Sequence, residues 1–162
     1  MKETQRNQER DADLVGAALK RGGRTLAVAE SLTGGLLASV FARASGASEW
    51  FRGGVVAYSS AVKYDLLGVP RGPVVSEAAA VAMARGAGRL LEADVAVAVT
   101  GVGGPDPQDG QRPGTVWAAT WPDRLGGAVL LRLSGSPESI CEQVCTETVR
   151  MLRERLDLTV AV

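Results

Sequence analysis

Short, continuously apolar runs recur along this chain and predict β-strands, because a strand covered on both faces carries apolar residues at every position. The plainest run is DVAVAVT at residues 94–100, and TLAVA at residues 25–29 and GVVAY at residues 54–58 share its character. Two more runs, at residues 114–121 and 127–133, lie on either side of a short turn and predict a hairpin.

Apolar residues return at helical spacing between these runs. The pattern predicts helices over residues 11–20, 34–43 and 76–91, a helix through residue 67 that Ser59 or Ser60 caps, and a final helix that begins at Ser136-Pro137. The polar residues 1–8 carry no such pattern, and we expect them to be frayed.

Helices and strands alternate along the chain, apart from the hairpin near its end. This order predicts one compact layered α/β/α domain over residues 1–162, with a mostly parallel sheet and one antiparallel hairpin. Ligands bind such sheets at the carboxyl ends of the strands. Three predicted strand ends carry hydroxyls or glycines and are expected to meet in one pocket: Glu30-Ser31, Tyr58-Ser59-Ser60 and Thr100-Gly101.

Composition narrows the chemistry that such a pocket can support. The chain has no histidine, which excludes Ser-His-Asp and Cys-His mechanisms and removes the commonest transition-metal ligand. The two cysteines, Cys141 and Cys145, are too few for a zinc site and poorly spaced for a disulfide, so we interpret them as small core residues. We therefore expect no metal.

Charge and hydropathy give no sign of a nucleic acid or a membrane as partner. Lys plus Arg and Asp plus Glu both number 18, so the net charge is zero. No apolar run is long enough to cross a membrane, and the polar N-terminus lacks the apolar stretch of a signal peptide. A cytoplasmic location is expected.

The segment AESLTGGLLAS, residues 29–39, lies at a predicted strand-to-helix corner. Ser31 there is either a nucleophile or a helix N-cap, and the spacing alone favours the cap. As a nucleophile, it would have its oxyanion held by backbone amides of the next turn, around Thr33, Gly34 and Gly35.

Lys63 follows on the first turn of a predicted helix. A lysine near a helix N-terminus, shielded from water, loses its proton readily and can activate a serine without histidine. A solvated surface lysine is the alternative. Tyr58 either relays a proton or covers a core edge, and Ser48, in the segment SGASEWF, is either a second pocket hydroxyl or a turn residue.

The segment TGVGGPDPQDGQRPGT, residues 100–115, predicts a long glycine-rich loop, and loops of that length tend to be functional. It contains neither a Walker A motif nor a good dinucleotide fingerprint. We interpret it as a source of backbone donors, with Asp106, Asp109 and Arg112 lining a pocket. Arg112 is the candidate partner of a phosphate, whereas each acid taken singly fits a turn residue better.

Five segments, in order, resemble the C-terminal domain of the CinA (competence/damage-inducible protein) family over residues 10–156: AESLTGG, GASEWFRGGVVAYSSAVKYDLLGV, VSEAAAVAMARGA, ADVAVAVTGVGGPDPQDG and GTVW. The resemblance implies a compact α/β domain that hydrolyses the carboxamide of nicotinamide mononucleotide, giving nicotinic acid mononucleotide and ammonia, in the recycling of NAD. It implies no metal or organic cofactor, a small-molecule nucleotide as partner, and a homo-oligomer, either a dimer or larger.

The resemblance also implies roles for individual residues. Ser31 matches the serine of a Glu-Ser-x-Thr-Gly-Gly motif, Tyr58 and Lys63 match a Tyr-Ser-x-x-x-Lys motif, and Ser48 matches the serine before a Trp-Phe pair. Thr100 and Gly101 match a Thr-Gly-x-x-Gly-Pro loop.

These matches give an expected mechanism. Ser31 attacks the carboxamide carbon, Lys63 takes its proton, and Tyr58 relays that proton to the leaving ammonia. Ser48 is the reserve nucleophile. Three further residues are expected to position the nucleotide: Thr100, Gly101 and Arg112.

The chain departs from the family's pattern at the expected pocket rim, where Gly103 replaces an alanine and Ser60 an asparagine. These changes bear on substrate affinity more than on chemistry. Two other functions stay open: a catalytically silent nucleotide-binding or interaction module linked to competence or DNA damage, and an amidase for another small amide.

Overall fold

The computed structural model describes the backbone of residues 3–160 and the side chains of residues 3–157. Their elements in chain order are α1 (Glu3–Arg21), β1 (Leu26–Glu30), α2 (Leu36–Ala42), a first 3₁₀ turn (Ala47–Glu49), β2 (Phe51–Val56), α3 (Ser60–Asp65), α4 (Glu77–Leu90), β3 (Val95–Gly101), β4 (Thr115–Trp121), a second 3₁₀ turn (Asp123–Leu125), β5 (Ala128–Arg132) and α5 (Pro137–Val160).

The sheet has the strand order β2-β1-β3-β4-β5. β1 pairs in parallel with both β2 and β3, while β4 pairs antiparallel with β3 and with β5. Four of these five strands therefore point the same way and β4 runs against them. The predicted α/β class, with a mostly parallel sheet and one antiparallel hairpin, is confirmed.

The two faces of the sheet carry side chains of different size. On β1 and β3, the larger Leu and Val side chains pack against α1, α2 and α5, and the alanines face the opposite way towards α4. Because side chains of a strand alternate between faces, the runs LAVA and VAVAV divide into a Val face and an Ala face. The alanine-rich helix α4 meets that Ala face at short range, and helices therefore cover both sides of the sheet.

The prediction that the start of the chain is frayed is wrong for residues 3–8, which belong to α1. Gln8 is buried, and its Nε2 donates to Thr146 Oγ1 at 2.7 Å and to the carbonyl of Glu142 at 3.2 Å. The polar segment is helical because it packs along α5, which the local pattern does not reveal. Met1 and Lys2 lie outside the described residues.

β2 begins and ends earlier than predicted, at Phe51 and Val56. It is an edge strand whose residues alternate between half-buried and exposed, and it includes two glycines, so its apolar run is weak. Its register with β1 places Phe51 beside Leu26 and Val56 beside Glu30. Residues 57 and 58 consequently leave the sheet beside the end of β1.

Candidate active site

A cleft of about 400 Å³ opens where β1, β2 and β3 end and β4 begins, which we call the carboxyl edge of the sheet. Ser31, Tyr58 and Gly101 all line it, so the three strand ends meet in one place, as the sequence predicts. The other lining residues come from the turn after β1, the loop after β3 and the start of α5: Leu32, Val102, Gly103, Gly104, Pro105, Asp106, Pro107, Gln108, Pro137 and Cys141.

Ser31 directly follows β1 and is the first residue of the turn that leads to α2. The residue is 7% exposed, and its hydroxyl makes no hydrogen bond within residues 3–157. Ser31 is not the N-cap of α2, because that position is held by Gly35 with φ 109°. A nearly buried hydroxyl that faces a cleft without a partner is available to a ligand.

The predicted set of oxyanion donors is wrong for Gly34 and Gly35. The amide of Gly34 donates to the carbonyl of Ser31 at 3.0 Å, and the amide of Gly35 donates to Glu30 Oε1 at 2.7 Å. The hydroxyl of Thr33 is also taken, since it donates to the same oxygen at 2.7 Å. Glycines at this turn therefore serve its left-handed backbone rather than a bound anion.

Other backbone amides at the cleft remain without a partner in the described part of the chain. Those of Leu32 and Thr33 lie next to Ser31 in sequence. Those of Gly103 and Gly104 belong to the loop after β3, which also lines the cleft. They are the candidate donors to an oxyanion and to the polar groups of a substrate.

Lys63 is buried and only 2% exposed. Its Nζ donates to the carbonyl of Tyr58 at 3.3 Å, and among the described residues no carboxylate lies within ion-pair distance. Burial lowers the pKa of the Lys63 amine, and the charge of Asp109 partly opposes that change. The expected readiness to lose a proton thus comes from burial. The helix dipole contributes little, because α3 has six residues and Lys63 lies in its last turn.

Tyr58 contacts both the cleft and Lys63. Its side chain is 73% exposed and lines the cleft, while its carbonyl accepts from Lys63. No hydrogen bond joins Ser31 directly to Lys63 within the described residues. Lys63 itself does not line the cleft.

The long loop after β3 is anchored by Asp109 rather than by its glycines. Asp109 Oδ2 accepts from the amides of Val74 and Val75 at 2.9 and 3.1 Å. The hydroxyl of Thr100, predicted to contact the nucleotide, instead donates to the carbonyl of Val74 at 2.7 Å and is buried. Asp109 and Thr100 therefore fix the loop to the segment before α4.

The remaining loop residues divide between the cleft and the surface. Gly101 and Asp106 line the cleft, as predicted. A Cβ at Gly101 would lie 2.6 Å from the carbonyl oxygen of Thr115, so this glycine permits close strand pairing. Arg112 is exposed and does not line the cleft, which argues against its predicted contact with a phosphate.

Ser48 lies at the opposite edge of the sheet. It is exposed on the first 3₁₀ turn, just before β2, and β2 begins beside Leu26, the first residue of β1. Roughly 16 Å of strand separates this position from Ser31, at 3.3 Å per residue. Within one chain, the structure does not bring Ser48 to the cleft and supports its interpretation as a turn residue.

Cys141 is a cleft residue that the sequence reasoning missed. It is half-buried on α5, lines the cleft, and its Sγ donates to the carbonyl of Leu32 at 3.3 Å. Burial, with the charges of Glu138 and Glu30, raises the pKa of its thiol. Cys145, one turn later, is buried in the core as predicted, where burial raises its pKa to about 12. The order of the two cysteines along α5 gives no signal of this difference.

A second cavity, of about 240 Å³, lies between α1, α2 and α5. Among its lining residues, Gln8 already donates to Thr146 and to the backbone of α5. Glu142 and Cys145 both line this cavity, but burial raises the pKa of the Cys145 thiol to about 12 and keeps it protonated, so we place the chemistry at the carboxyl edge.

Two further features are absent from residues 3–157, a metal-binding cluster and a membrane-spanning helix. No group of three or more potential metal-binding side chains comes together there. No helix in that part of the chain has the length and apolar character needed to span a bilayer.

Known proteins resemble this chain both in sequence and in structure. The family model described as CinA C-terminal domain matches residues 8–156. A putative competence-damage inducible protein of Desulforudis audaxviator is 40% identical over 141 residues, which cover 84% of this chain and 31% of that protein. The chain spans about a third of the length of this relative and of a similar one from Halalkalibacterium halodurans.

A shorter relative and a solved structure extend the comparison. A protein named nicotinamide-nucleotide amidohydrolase PncC, from Enterobacter agglomerans, is 45% identical over 109 residues, or 64% of this chain and 66% of that one. The crystal structure of a CinA superfamily protein from Klebsiella pneumoniae superposes with a TM-score of 0.85 at 30% identity, covering 93% of this chain and 98% of that chain.

Proposed function

This chain belongs to the CinA C-terminal domain family, and we propose that it is an amidohydrolase that converts nicotinamide mononucleotide into nicotinic acid mononucleotide and ammonia. The observation that carries the proposal is the cleft itself. It combines an unpartnered serine hydroxyl and free backbone amides with a tyrosine, Tyr58, whose carbonyl binds the buried amine of Lys63, in a chain without histidine. The name of the Enterobacter agglomerans relative supports the choice of substrate.

In the first half of the proposed reaction, Ser31 Oγ attacks the carboxamide carbon and loses its proton. We assign the relay of that proton to the Tyr58 hydroxyl and its acceptance to the neutral amine of Lys63. The amides of Leu32 and Thr33 stabilise the oxyanion that forms. When the C–N bond breaks, the proton passes to the leaving nitrogen, and ammonia departs from an acyl-Ser31 ester.

In the second half, water attacks the ester carbon and gives a proton to Lys63 through the same relay. The bond to Ser31 Oγ breaks, that oxygen regains the proton, and the nicotinate carboxylate is released. The Gly103 and Gly104 amides in the loop after β3 hold the nucleotide part of the substrate, in place of the Arg112 side chain. No step requires a metal or an organic cofactor.

The proposal is tested by ammonia release from nicotinamide mononucleotide. Ser31→Ala and Lys63→Ala should each reduce kcat by about 10³-fold or more, because the members of a catalytic unit fail together. Lys20→Ala is the matched lysine control, since Lys20 is exposed and pairs with Glu49. Circular dichroism and urea unfolding establish that each variant is folded.

Ser48→Ala separates the two candidate nucleophiles. Activity like that of the parent is expected, because Ser48 lies at the far edge of the sheet. Loss of activity in Ser48→Ala with retention in Ser31→Ala would transfer the attack to Ser48 and require a neighbouring chain to complete the cleft.

A second candidate, an amidase for another small amide, is favoured by Gly103, which lines the cleft where the family commonly has alanine. A Cβ at this position would find its nearest neighbour, Leu32 Cβ, at 3.8 Å, so the glycine leaves the cleft one methyl group wider. Nicotinamide riboside distinguishes the candidates. An enzyme that recognises the nucleotide should lose most of its activity when the phosphate is removed.

We also propose a homo-oligomer, as the family resemblance implies. The outer strand β2 supports it, since this strand has an open edge and its Val56 is 46% exposed. Light scattering coupled to size exclusion decides between a monomer and a larger assembly.

A further inference from the structure

We infer that Glu30 is a positioning residue of the cleft, which determines the backbone amides that remain free beside Ser31. The inference rests on the proposed function only for its activity measurements. Glu30 is the last residue of β1 and its side chain is fully buried. No lysine or arginine among the described residues forms an ion pair with it, so the backbone around it must satisfy its carboxylate.

The carboxylate accepts four hydrogen bonds from the turn that follows it. Glu30 Oε1 accepts from Thr33 Oγ1 at 2.7 Å, from the amide of Gly35 at 2.7 Å and from the amide of Leu37 at 3.2 Å. Glu30 Oε2 accepts from the amide of Ala38 at 2.8 Å. The carboxylate replaces an N-cap side chain, because Gly35 at the N-cap of α2 has none.

This capping assigns a partner to every amide from residue 34 to residue 39. The three of these amides that do not donate to Glu30 donate to backbone carbonyls of the turn itself: Gly34 to Ser31, Leu36 to Thr33 and Ser39 to Gly35. The amides of Leu32 and Thr33 are the two in the turn that remain free within the described residues. They directly follow Ser31, where an oxyanion at a carbon attacked by its Oγ would form.

The physical reason for a carboxylate here is rigidity. Donors to an oxyanion are effective when their orientation is fixed before the reaction, because no energy is then spent on reorienting them. Glu30 is rooted in a central strand and binds the turn at both of its oxygens. From the other side, Cys141 donates to the carbonyl of Leu32 and so links the same turn to α5.

Glu30→Gln tests the inference with almost no change in volume. The NH₂ group that replaces one carboxylate oxygen cannot accept, so at least one buried amide of the turn loses its partner. We expect kcat to fall by about 10- to 100-fold with KM within about threefold, since a misplaced oxyanion donor weakens the transition state more than the bound substrate. Circular dichroism checks that the variant is folded.

Thr33→Val is the second variant and keeps the charge of Glu30. It removes one of the four hydrogen bonds, so kcat should fall in the same direction but less, and Thr33→Ser should restore it. Thr33→Val should lower the stability of the fold less than Glu30→Gln does, because it leaves the buried carboxylate in place. It also separates loosening of the turn from the loss of a negative charge.

The alkylation rate of Cys141 by iodoacetamide, followed by peptide mass spectrometry, reports on the turn without any substrate. Cys145 is buried and serves as the internal reference. We expect Cys141 to react several-fold faster in Thr33→Val, because a loosened Leu32 carbonyl releases the thiol, and faster still in Glu30→Gln, where loss of the Glu30 charge also lowers the pKa of the thiol. Asp94→Asn is the matched control: Asp94 also caps backbone and hydroxyl groups, at Thr25, but at the opposite edge of the sheet. It should leave kcat and the Cys141 rate unchanged.

The outcomes are distinct. Parent values of both kcat and the Cys141 rate in folded Glu30→Gln and Thr33→Val would overturn the inference, and so would a loss of kcat with an unchanged Cys141 rate. If the parent released no ammonia, the proposed function would fail. The Cys141 rate in Thr33→Val would still decide whether Glu30 fixes the turn.

Discussion

Replacing Lys63 with methionine should stabilise the protein and abolish its activity. Lys63 is 2% exposed, and its amine has one hydrogen-bond acceptor among the described residues, the Tyr58 carbonyl at 3.3 Å. An ammonium group has three donors, so burial leaves it poorly satisfied. Methionine has a similar length and no charge, and it fits an apolar gap readily.

The size of the effect follows from two opposing contributions. Loss of the single long hydrogen bond to Tyr58 lowers stability by about 0.5–1.5 kcal/mol. Removal of the buried amine raises it, since burying that amine costs either the desolvation of its charge or the loss of its proton, and apolar replacements of buried ionic groups often stabilise by about 1–4 kcal/mol. We expect the free energy of unfolding of Lys63→Met to exceed that of the parent by about 1–3 kcal/mol near pH 7.

The difference should depend on pH with a definite sign. Burial lowers the pKa of Lys63 in the native state, whereas the unfolded chain keeps the ordinary value of 10.5. Between these two pKa values, the unfolded chain binds more protons, so the parent gains stability as the pH rises. The methionine variant has no such gain. Its advantage is therefore largest below the native pKa of Lys63 and shrinks as the pH approaches 10.5.

Urea unfolding followed by tryptophan fluorescence, from about pH 6 to about pH 10, measures both the size and the slope. Lys20→Met is the matched control, because its exposed amine should change stability by no more than about 0.5 kcal/mol. A Lys63→Met protein that is less stable than the parent at neutral pH, with a difference that does not vary with pH, would refute the buried-base reasoning. Ammonia release, absent in Lys63→Met, completes the assay.

Two further predictions concern the loop and the packing of α4. Asp109→Asn keeps an acceptor for the Val74 and Val75 amides but removes the charge that raises the pKa of Lys63. The acid limb of the pH profile of kcat/KM should therefore move to lower pH. An unmoved limb would show that Lys63 is not the titrating base. Gly86→Ala places a Cβ against the Leu67 carbonyl oxygen and should lower the free energy of unfolding, measured in urea, by about 1–3 kcal/mol. Gly103→Ala, whose Cβ would have no neighbour closer than 3.8 Å, should leave it unchanged. Equal urea midpoints for the two variants would contradict the close packing at Gly86.

The buried strands and most helix starts could be predicted from the sequence. β3 follows its apolar run within one residue, and Ser59 and Ser76 cap α3 and α4 as predicted. The start of α1 could not be predicted, because its polar residues are helical through contacts with α5 at Gln8. A local sequence pattern indicates only the local conformational preference, whereas tertiary packing determines whether a marginally stable helix forms.

The position of the cleft was predictable, but its hydrogen bonds were not. The carboxyl-edge rule located the cleft, and the same rule contains the signal that excludes Ser48, since a residue before a parallel strand lies at the other edge. The free amides could not be predicted by spacing. They depend on Glu30, whose side chain reaches residues up to eight positions ahead.

The distribution of buried polar groups supports a function at the carboxyl edge independently of any relative. Six buried polar or charged side chains lie at this edge or on the segments that leave it: Glu30, Ser31, Thr33, Lys63, Thr100 and Thr115. A fold selected for stability alone would place apolar residues there, because a buried charge without an ion pair lowers stability. Glu30 is compensated by four hydrogen bonds, but Lys63 has one. This difference agrees with the roles proposed for the two groups, in which Lys63 moves a proton and Glu30 fixes the turn beside Ser31.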